Sequence, residues 1–171
     1  MRVILMRHAE AGDADAARWP DDRERPLSEE GRVEHHAVTR ALRRMGIRFD
    51  RLLASPLVRA RQTAEITLEG YGGAPAVEYT DALGDRGSVE AVVARLAQAG
   101  RDETVLCVGH EPLLPQVAAA LISGTPRPKI ELRKSGVIAV DCKGLPVPGA
   151  GTLIYHLRPR DLVKLLEPPP P

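Results

Sequence analysis

Hydrophobic and polar positions along the chain fall into two alternating patterns. Three short, mostly apolar runs occur at Val3–Met6, Leu52–Ala54 and Thr104–Val108, and short runs of this kind are typical of buried strands. Between them, apolar residues recur every three or four positions, as they do over 57–66, which predicts helices. This alternation predicts a three-layer α/β/α sandwich on a mostly parallel sheet.

Capping and turn residues set the expected ends of these elements. Ser28 followed by two glutamates predicts a helix that runs to about Met45. Ser55-Pro56 is interpreted as a strand-to-helix junction, with the serine as cap and the proline at the first helical position. We also predict helices over 88–98 and 158–166 and a hairpin of 136–140 with 152–155 that forms an antiparallel edge of the sheet.

Length and composition indicate one domain. The chain has 171 residues, of which 43% are hydrophobic, enough for a sizeable core. We assign residues 1–167 to this domain, and we expect the four-proline tail Pro168–Pro171 to be disordered, because proline cannot continue a helix.

Charge, cysteine content and the amino-terminal sequence limit the setting in which the protein works. The formal net charge is +1, so no overall field attracts the chain to nucleic acid or membrane. It has two cysteines, too few for a disulfide scaffold and suited to a reducing compartment. Met1-Arg2-Val3 leads directly into the first predicted strand, so we expect no secretory signal peptide, and no apolar run is long enough to span a bilayer. We therefore expect a cytoplasmic protein; the sequence leaves its oligomeric state open.

Candidate chemistry lies where the predicted strands end. Arg7-His8 follows the first strand, Arg59 lies in the first turn of the helix after the second, and Gly109-His110 follows the third. In an open α/β sheet, ligands bind outside the carboxyl ends of the strands, and arginine suits phosphate because its planar fork is always charged. Each signal alone is typical of a surface residue, but their shared position predicts one phosphoryl site formed by Arg7, His8, Arg59 and His110.

The same segments resemble the ordered motifs of the histidine phosphatase superfamily, which has the phosphoglycerate mutase-like fold. The resemblance is greatest to its small phosphohistidine phosphatases of the SixA type and extends from Met1 to about Val140. It rests on the segments Met6–Ala11, Arg25–Ser28 with Gly31, Ser55–Ala64 and Val108–Leu113.

The resemblance implies a phosphatase with His8 as nucleophile, assisted by Arg7, Arg59 and His110. Two departures stand out. The usual glycine after the nucleophile is Ala9, which matters only if that position needs a positive φ. Where larger members carry a glutamate general acid, this chain has Asp81–Gly87, with Asp85 as the nearest candidate. The chain is also too short for the large cap insertion of those members.

The residues suggest how such a site works. His8 must be neutral to attack phosphorus, with its second ring nitrogen donating to a fixed acceptor, and a backbone carbonyl is the expected one. Two neighbouring arginines would lower its pKa. Since phosphoryl transfer depends on positioning and charge stabilisation, Arg7, Arg59 and a protonated or hydrogen-bonding His110 would clamp the phosphoryl oxygens.

No metal or other cofactor is needed for this chemistry. The five histidines show no metal-ligand spacing. Adjacent His35 and His36 point to different faces of their predicted helix, and both are interpreted as surface residues.

The missing glutamate bears on the substrate. An alkoxide needs a proton to leave, whereas a phosphorylated imidazole protonated on its free nitrogen leaves as neutral imidazole. We therefore favour phosphohistidine on a protein partner. Two alternatives remain: a broad phosphomonoesterase for small metabolites with Asp85 as acid, and a non-catalytic phosphate-binding module.

Overall fold

One six-stranded sheet forms the centre of the computed structural model, which describes residues 1–127 and 129–166. The strand order is β3-β2-β4-β1-β5-β6. Strands β1 to β4 pair in parallel, while β5 pairs antiparallel with both β1 and β6. The predicted mostly parallel sheet with an antiparallel edge is confirmed. The strands are β1 (Arg2–Arg7), β2 (Arg51–Ala54), β3 (Val77–Tyr79), β4 (Thr104–Gly109), β5 (Val137–Cys142) and β6 (Gly151–Leu157).

Helices cover both faces of the sheet, which confirms the three-layer arrangement. Helices α1, α2 and α5 pack together on one face, and α3 packs against α4 on the other. None of the helices in the described ranges is long and apolar enough to cross a bilayer. The predicted proline tail lies outside the described residues. The helices are α1 (Glu29–Arg44), α2 (Val58–Gly70), α3 (Val89–Leu96), α4 (Leu113–Ser123) and α5 (Pro159–Lys164).

The first strand shows why the sequence contains continuous apolar runs. Val3 and Leu5 join the core beneath α3 and α4, whereas Ile4 and Met6 join the core beneath α1 and α2. Successive side chains of a strand point to opposite faces, so a strand covered on both sides must be apolar throughout.

The register of the central strands brings their carboxyl ends to one edge of the sheet. Arg7 of β1 is paired with Gly109 of β4, and Ala54 of β2 is paired with Val108 of β4. The residues that follow these strands, His8, Ser55 and His110, are therefore neighbours, as the strand pattern predicts.

The two predicted serine caps have different outcomes. Ser28 caps α1, and its Oγ accepts a hydrogen bond from the Gly31 amide at 3.0 Å. Gly31 also lets the helix approach the loop after β1, since a Cβ there would overlap the carbonyl oxygen of Glu10. The prediction for Ser55 is wrong: α2 begins at Val58, its N-cap is Leu57, and the Ser55 hydroxyl faces His110 instead.

Candidate active site

His8 follows β1 directly, and its ring is held in one tautomer. The Nδ1 atom lies 2.6 Å from the carbonyl oxygen of Ala9. A carbonyl only accepts hydrogen bonds, so Nδ1 carries the proton and Nε2 keeps its lone pair. The expected backbone acceptor is thereby confirmed. Ala9 is held in turn, since its amide donates to Thr63 Oγ1 at 3.0 Å and that hydroxyl donates to the Arg59 carbonyl at 2.7 Å.

The surroundings of His8 keep it neutral. Burial, His110 and the two arginines lower its pKa to about 2, although the Ala9 carbonyl acts in the opposite direction. Burial is the largest cause because it removes water from the charged form, whereas the sequence pointed to the arginines alone. At neutral pH the ring is an uncharged base with a free nitrogen.

Glu111, in the loop after β4, fixes the guanidinium group of Arg7. Its Nη1 atom lies 2.6 Å from Glu111 Oε2 and also donates to the carbonyl of Leu132 at 3.0 Å. Glu111 accepts the Leu132 amide at 3.2 Å through its other oxygen. One carboxylate thus joins the loop after β4 to the segment before β5 and orients the guanidinium between them.

Arg59 lies in the first turn of α2, as predicted, and it contacts the loop between β1 and α1. Its Nη1 donates to the carbonyl of Asp22 at 2.7 Å, and its Nη2 lies 3.2 Å from the Asp22 carboxylate. Asp22 is also paired with Arg25 at 2.7 Å. The side-chain hydrogen bond from Arg25, followed by the charges of Arg59 and Arg25, lowers the pKa of Asp22 despite an opposing effect of burial.

His110 follows β4 and bonds to the serine that follows β2. Its Nε2 lies 2.8 Å from Ser55 Oγ, and its ring centroid is 5.1 Å from that of His8. Burial, followed by the charge of Arg59, lowers the pKa of His110 to about 4, although Asp85 and Asp22 oppose this. The ring is therefore neutral at pH 7, so it can contact a ligand by hydrogen bonding but not through a positive charge.

The four predicted site residues line one cavity of about 300 Å³. Three buried nitrogen atoms of these residues have no hydrogen-bond partner: Arg7 Nε, Arg59 Nε and His110 Nδ1. Buried polar atoms are normally paired, so unpaired nitrogens on three residues around one cavity indicate a site for an oxygen-rich anion. The loop after β1 completes the wall; the remaining lining residues are Gly12, Asp13, Ala14, Arg25, Glu111 and Lys134.

Asp85 lies at the border of this site and does not line the cavity. Its carboxylate is 3.3 Å from Arg23 Nη1, and its side chain is 46% exposed. It is close enough for its charge to influence His110 and Arg59, but it lacks the burial that adapts a carboxyl group to act as a general acid.

Comparison with known proteins identifies the family. Residues 3–87 match the model of the histidine phosphatase superfamily, branch 1. The phosphohistidine phosphatase SixA of Escherichia coli is 30% identical over 165 residues, which cover 95% of this chain and 96% of that protein. An uncharacterised protein of Picosynechococcus is 36% identical over 142 residues, 82% of this chain and 84% of the relative.

A solved structure agrees with these sequence matches. The structure of the protein histidine phosphatase SixA complexed with tungstate superposes with a TM-score of 0.80 at 28% identity, covering 95% of this chain and 99% of that one. This chain belongs to the histidine phosphatase superfamily. Members of the superfamily are phosphatases, and the SixA-like resemblance predicted from the motifs is confirmed.

The unusual alanine of this histidine phosphatase creates no backbone strain. Ala9 does not have a positive φ, and its side chain is fully buried with Leu27 and Ile66. The alanine methyl group therefore fills space in a small apolar cluster, and glycine is not required for the conformation of the chain.

Sequence reasoning missed one buried group of this histidine phosphatase. His36 is exposed as predicted, but the prediction for His35 is wrong, because His35 is fully buried. Its Nδ1 lies 3.0 Å from Ser135 Oγ and its Nε2 lies 2.9 Å from Thr67 Oγ1. Its distance from Ser135 in the sequence leaves no local signal, although helical spacing from the buried Val38 places His35 on the inner face of α1.

Among residues 1–127 and 129–166, no three histidine, cysteine, aspartate or glutamate side chains form a group that could hold a metal ion. Cys107 and Cys142 are both free thiols and both buried.

Proposed function

We propose that this protein is a phosphohistidine phosphatase that transfers the phosphoryl group of a protein phosphohistidine to Nε2 of His8. The observation that carries the proposal is the hydrogen bond from His8 Nδ1 to the Ala9 carbonyl. It leaves a neutral nitrogen beside a cavity with unpaired donor atoms on Arg7 and Arg59 and an unpaired ring nitrogen on His110. SixA, the related protein, has been solved with tungstate, an oxyanion of comparable shape to phosphate.

The reaction proceeds in two displacements at phosphorus. The Nε2 lone pair of His8 forms a bond to phosphorus while the bond from phosphorus to the substrate nitrogen breaks. The substrate ring keeps the proton on its other nitrogen and leaves as neutral imidazole. Water then attacks the phosphorus on His8, inorganic phosphate departs, and His8 regains its lone pair. Arg7, Arg59 and His110 stabilise the charge on the phosphoryl oxygens during both steps.

The carboxyl groups around the cavity favour cleavage of a P–N bond over an ester. Ester cleavage is helped by a general acid that is protonated near neutral pH, and burial is what keeps a carboxyl group in that state. Asp22 and Asp85 have side chains that are 48% and 46% exposed and are paired with arginines, Glu111 is paired with Arg7, and Asp13 is exposed. A leaving group that needs no proton fits this site.

A groove beside the cavity favours a macromolecular substrate. It has a volume of about 920 Å³ and shares Arg7 and Lys134 with the site. Helix α5 contributes Arg160 and Lys164 to the groove, and its N-cap residue Arg158 also lines it. A polypeptide that carries phosphohistidine can occupy this groove while its phosphoryl group enters the smaller cavity.

Turnover of matched substrates tests the proposal. The wild type should hydrolyse a ³²P-labelled phosphohistidine protein and phosphoramidate faster than a panel of phosphomonoesters. His8→Ala should abolish turnover, whereas His156→Ala, which removes an exposed histidine of β6, should not. Alkaline quenching, which preserves phosphohistidine, should trap label on the wild type but not on His8→Ala. Preference for esters would contradict the proposed substrate, and phosphate binding without turnover would make the protein a binding module.

The second candidate is a phosphomonoesterase, which the closeness of Asp85 to His110 favours. If Asp85 is its general acid, Asp85→Asn should slow ester hydrolysis and leave phosphoramidate hydrolysis unchanged. Asp81→Asn, which makes the same change in the 3-10 turn that precedes Asp85, is the control. Equal effects of both variants on ester hydrolysis would show that Asp85 is not the general acid.

A further inference from the structure

A buried polar network outside the cavity is centred on His35 of α1. His35, Thr67 and Ser135 are at most 1% exposed, and both ring nitrogens of His35 are hydrogen-bonded to side chains. The three residues come from α1, α2 and the segment before β5. A buried polar network is maintained only when all of its groups are paired, so this one connects three elements at a single point.

The network determines which nitrogen of His35 carries the proton. Thr67 uses its hydroxyl hydrogen on the Thr63 carbonyl at 2.9 Å, so Thr67 Oγ1 accepts from His35 Nε2. The same Thr63 carbonyl faces the ring as a second acceptor. Burial, followed by the neighbouring His36, lowers the pKa of His35 to about 3, so the ring is neutral at pH 7 and Nδ1 accepts. The Ser135 hydroxyl therefore donates to His35 Nδ1.

Ser135 connects this network to the nucleophile. Its amide donates to the carbonyl oxygens of Arg7 and His8, at 3.1 and 3.2 Å. Among the described residues other than glycine, Ser135 alone has a positive φ, at 59°. Such a conformation costs energy for a residue with a Cβ and persists only when the surroundings hold it. The hydrogen bond between the Ser135 hydroxyl and His35 supplies that restraint.

A second arm of the network reaches the other side of His8. Thr63 lies one turn before Thr67 on α2, and its hydroxyl accepts the amide of Ala9, whose carbonyl holds His8 Nδ1. His35 thus contacts both elements that fix the chain around the nucleophile. We propose that His35 is a positioning residue, which holds the end of β1 and the ring of His8 in the reactive arrangement through Ser135 and Thr67. This inference rests on the proposed role of His8 as nucleophile.

Three variants distinguish positioning from simple core packing. His35→Leu removes both hydrogen bonds, His35→Gln keeps one donor and one acceptor, and Val38→Ala makes a cavity in the same helix at a fully buried residue. We expect His35→Leu to lower kcat about 10- to 100-fold, because small displacements of reacting groups have effects of this size. KM and inhibition by tungstate should change less than about threefold, since Arg59 and His110 are held elsewhere. His35→Gln should recover most of the loss, and Val38→Ala should lose stability without losing kcat.

Two measurements keep the proposal testable if His35→Leu folds poorly. Ser135→Ala, which keeps the amide donor but removes the hydroxyl, should lower kcat without raising KM. The His8 Nδ1 proton, which is hydrogen-bonded to the Ala9 carbonyl, should give a low-field resonance in the wild type and in His35→Gln. This resonance should be lost in Ser135→Ala as well as in His35→Leu.

The outcomes separate this inference from the proposed function. If the wild type hydrolyses phosphorylated substrates while His35→Leu and Ser135→Ala keep wild-type kcat and the His8 resonance, the positioning role is refuted. If the wild type hydrolyses no phosphorylated substrate, the proposed function fails, and the His8 resonance still reports whether His35 positions the ring.

Discussion

His8 Nδ1 lies 2.6 Å from the carbonyl oxygen of Ala9, the next residue in the chain. This contact links the conformation of two adjacent residues to the chemistry of the site, because it leaves the second ring nitrogen unprotonated. Burial keeps the same ring uncharged.

The two site histidines should stay neutral well into the acid range. The pKa is lowered to about 2 for His8 and about 4 for His110, mainly by burial, so neither ring should take up a proton between pH 8 and 5. Histidine ring resonances followed by NMR test this, with free imidazole in the same sample as reference. A midpoint near 6.5 for His8 would contradict the buried, neutral nucleophile.

The protein should lose stability as the pH falls below about 6.5. The folded-state pKa of His35 is lowered to about 3, so between these values the unfolded chain binds more protons, and acid favours unfolding. One such group contributes up to about 1.4 kcal/mol per pH unit over that interval. Urea unfolding of His35→Gln should show a weaker dependence on pH than the wild type. His36→Gln, its exposed neighbour, should not differ from the wild type; equal slopes for all three proteins would disprove the effect.

Asp22→Asn should tighten binding of inorganic phosphate about 3- to 10-fold. The carboxylate of Asp22 occupies Arg59 in the absence of substrate, and an incoming anion must compete with it. Asparagine keeps the backbone carbonyl that Arg59 also contacts. Titration calorimetry with inorganic phosphate tests this. The control is Glu24→Gln, which removes a negative charge from the same 3-10 turn. Weaker binding by Asp22→Asn would show that the carboxylate orients Arg59 rather than competing for it.

Ala9→Gly should leave kcat within about twofold and lower the free energy of unfolding by about 1 kcal/mol. Ala9 needs no positive φ and its methyl group is fully buried. Ala11→Gly removes a methyl group from the same cluster and serves as control. A rise in kcat beyond threefold on Ala9→Gly would show that the alanine restrains the site.

Neutralising Arg160 and Lys164 together should raise KM for a phosphohistidine protein and leave phosphoramidate hydrolysis unchanged. Both residues line the groove beside the cavity. Their charges can therefore attract a bound polypeptide but do not contact a small substrate in the cavity. We expect a rise of about 3- to 10-fold at low salt that shrinks at high salt. The control is the double variant Arg40→Gln/Arg101→Gln. It also removes two positive charges, but from exposed residues that do not line the groove. Equal KM values for both double variants would exclude the groove from docking.

The sequence determined which residues end the parallel strands and therefore which side chains share one edge of the sheet. Arg7, His8 and His110 follow from apolar runs that are short and buried on both faces, and Arg59 follows from the helix start after the second run. The Ser28 cap and the edge hairpin were predictable for the same reason, since each depends on residues close together in the chain.

Tertiary structure alone decided the contacts that hold these side chains. Ser55 hydrogen-bonds to His110 instead of capping α2, and Asp22 reaches Arg59 from the loop after β1. His35 is buried and hydrogen-bonds to Ser135, 100 residues later in the chain. The neutral state of His8 arises mainly from burial and not from its neighbours in sequence. Periodicity describes only residues within a few turns of each other, whereas these hydrogen bonds and the loss of water around each ring depend on which distant segments the folded sheet brings together.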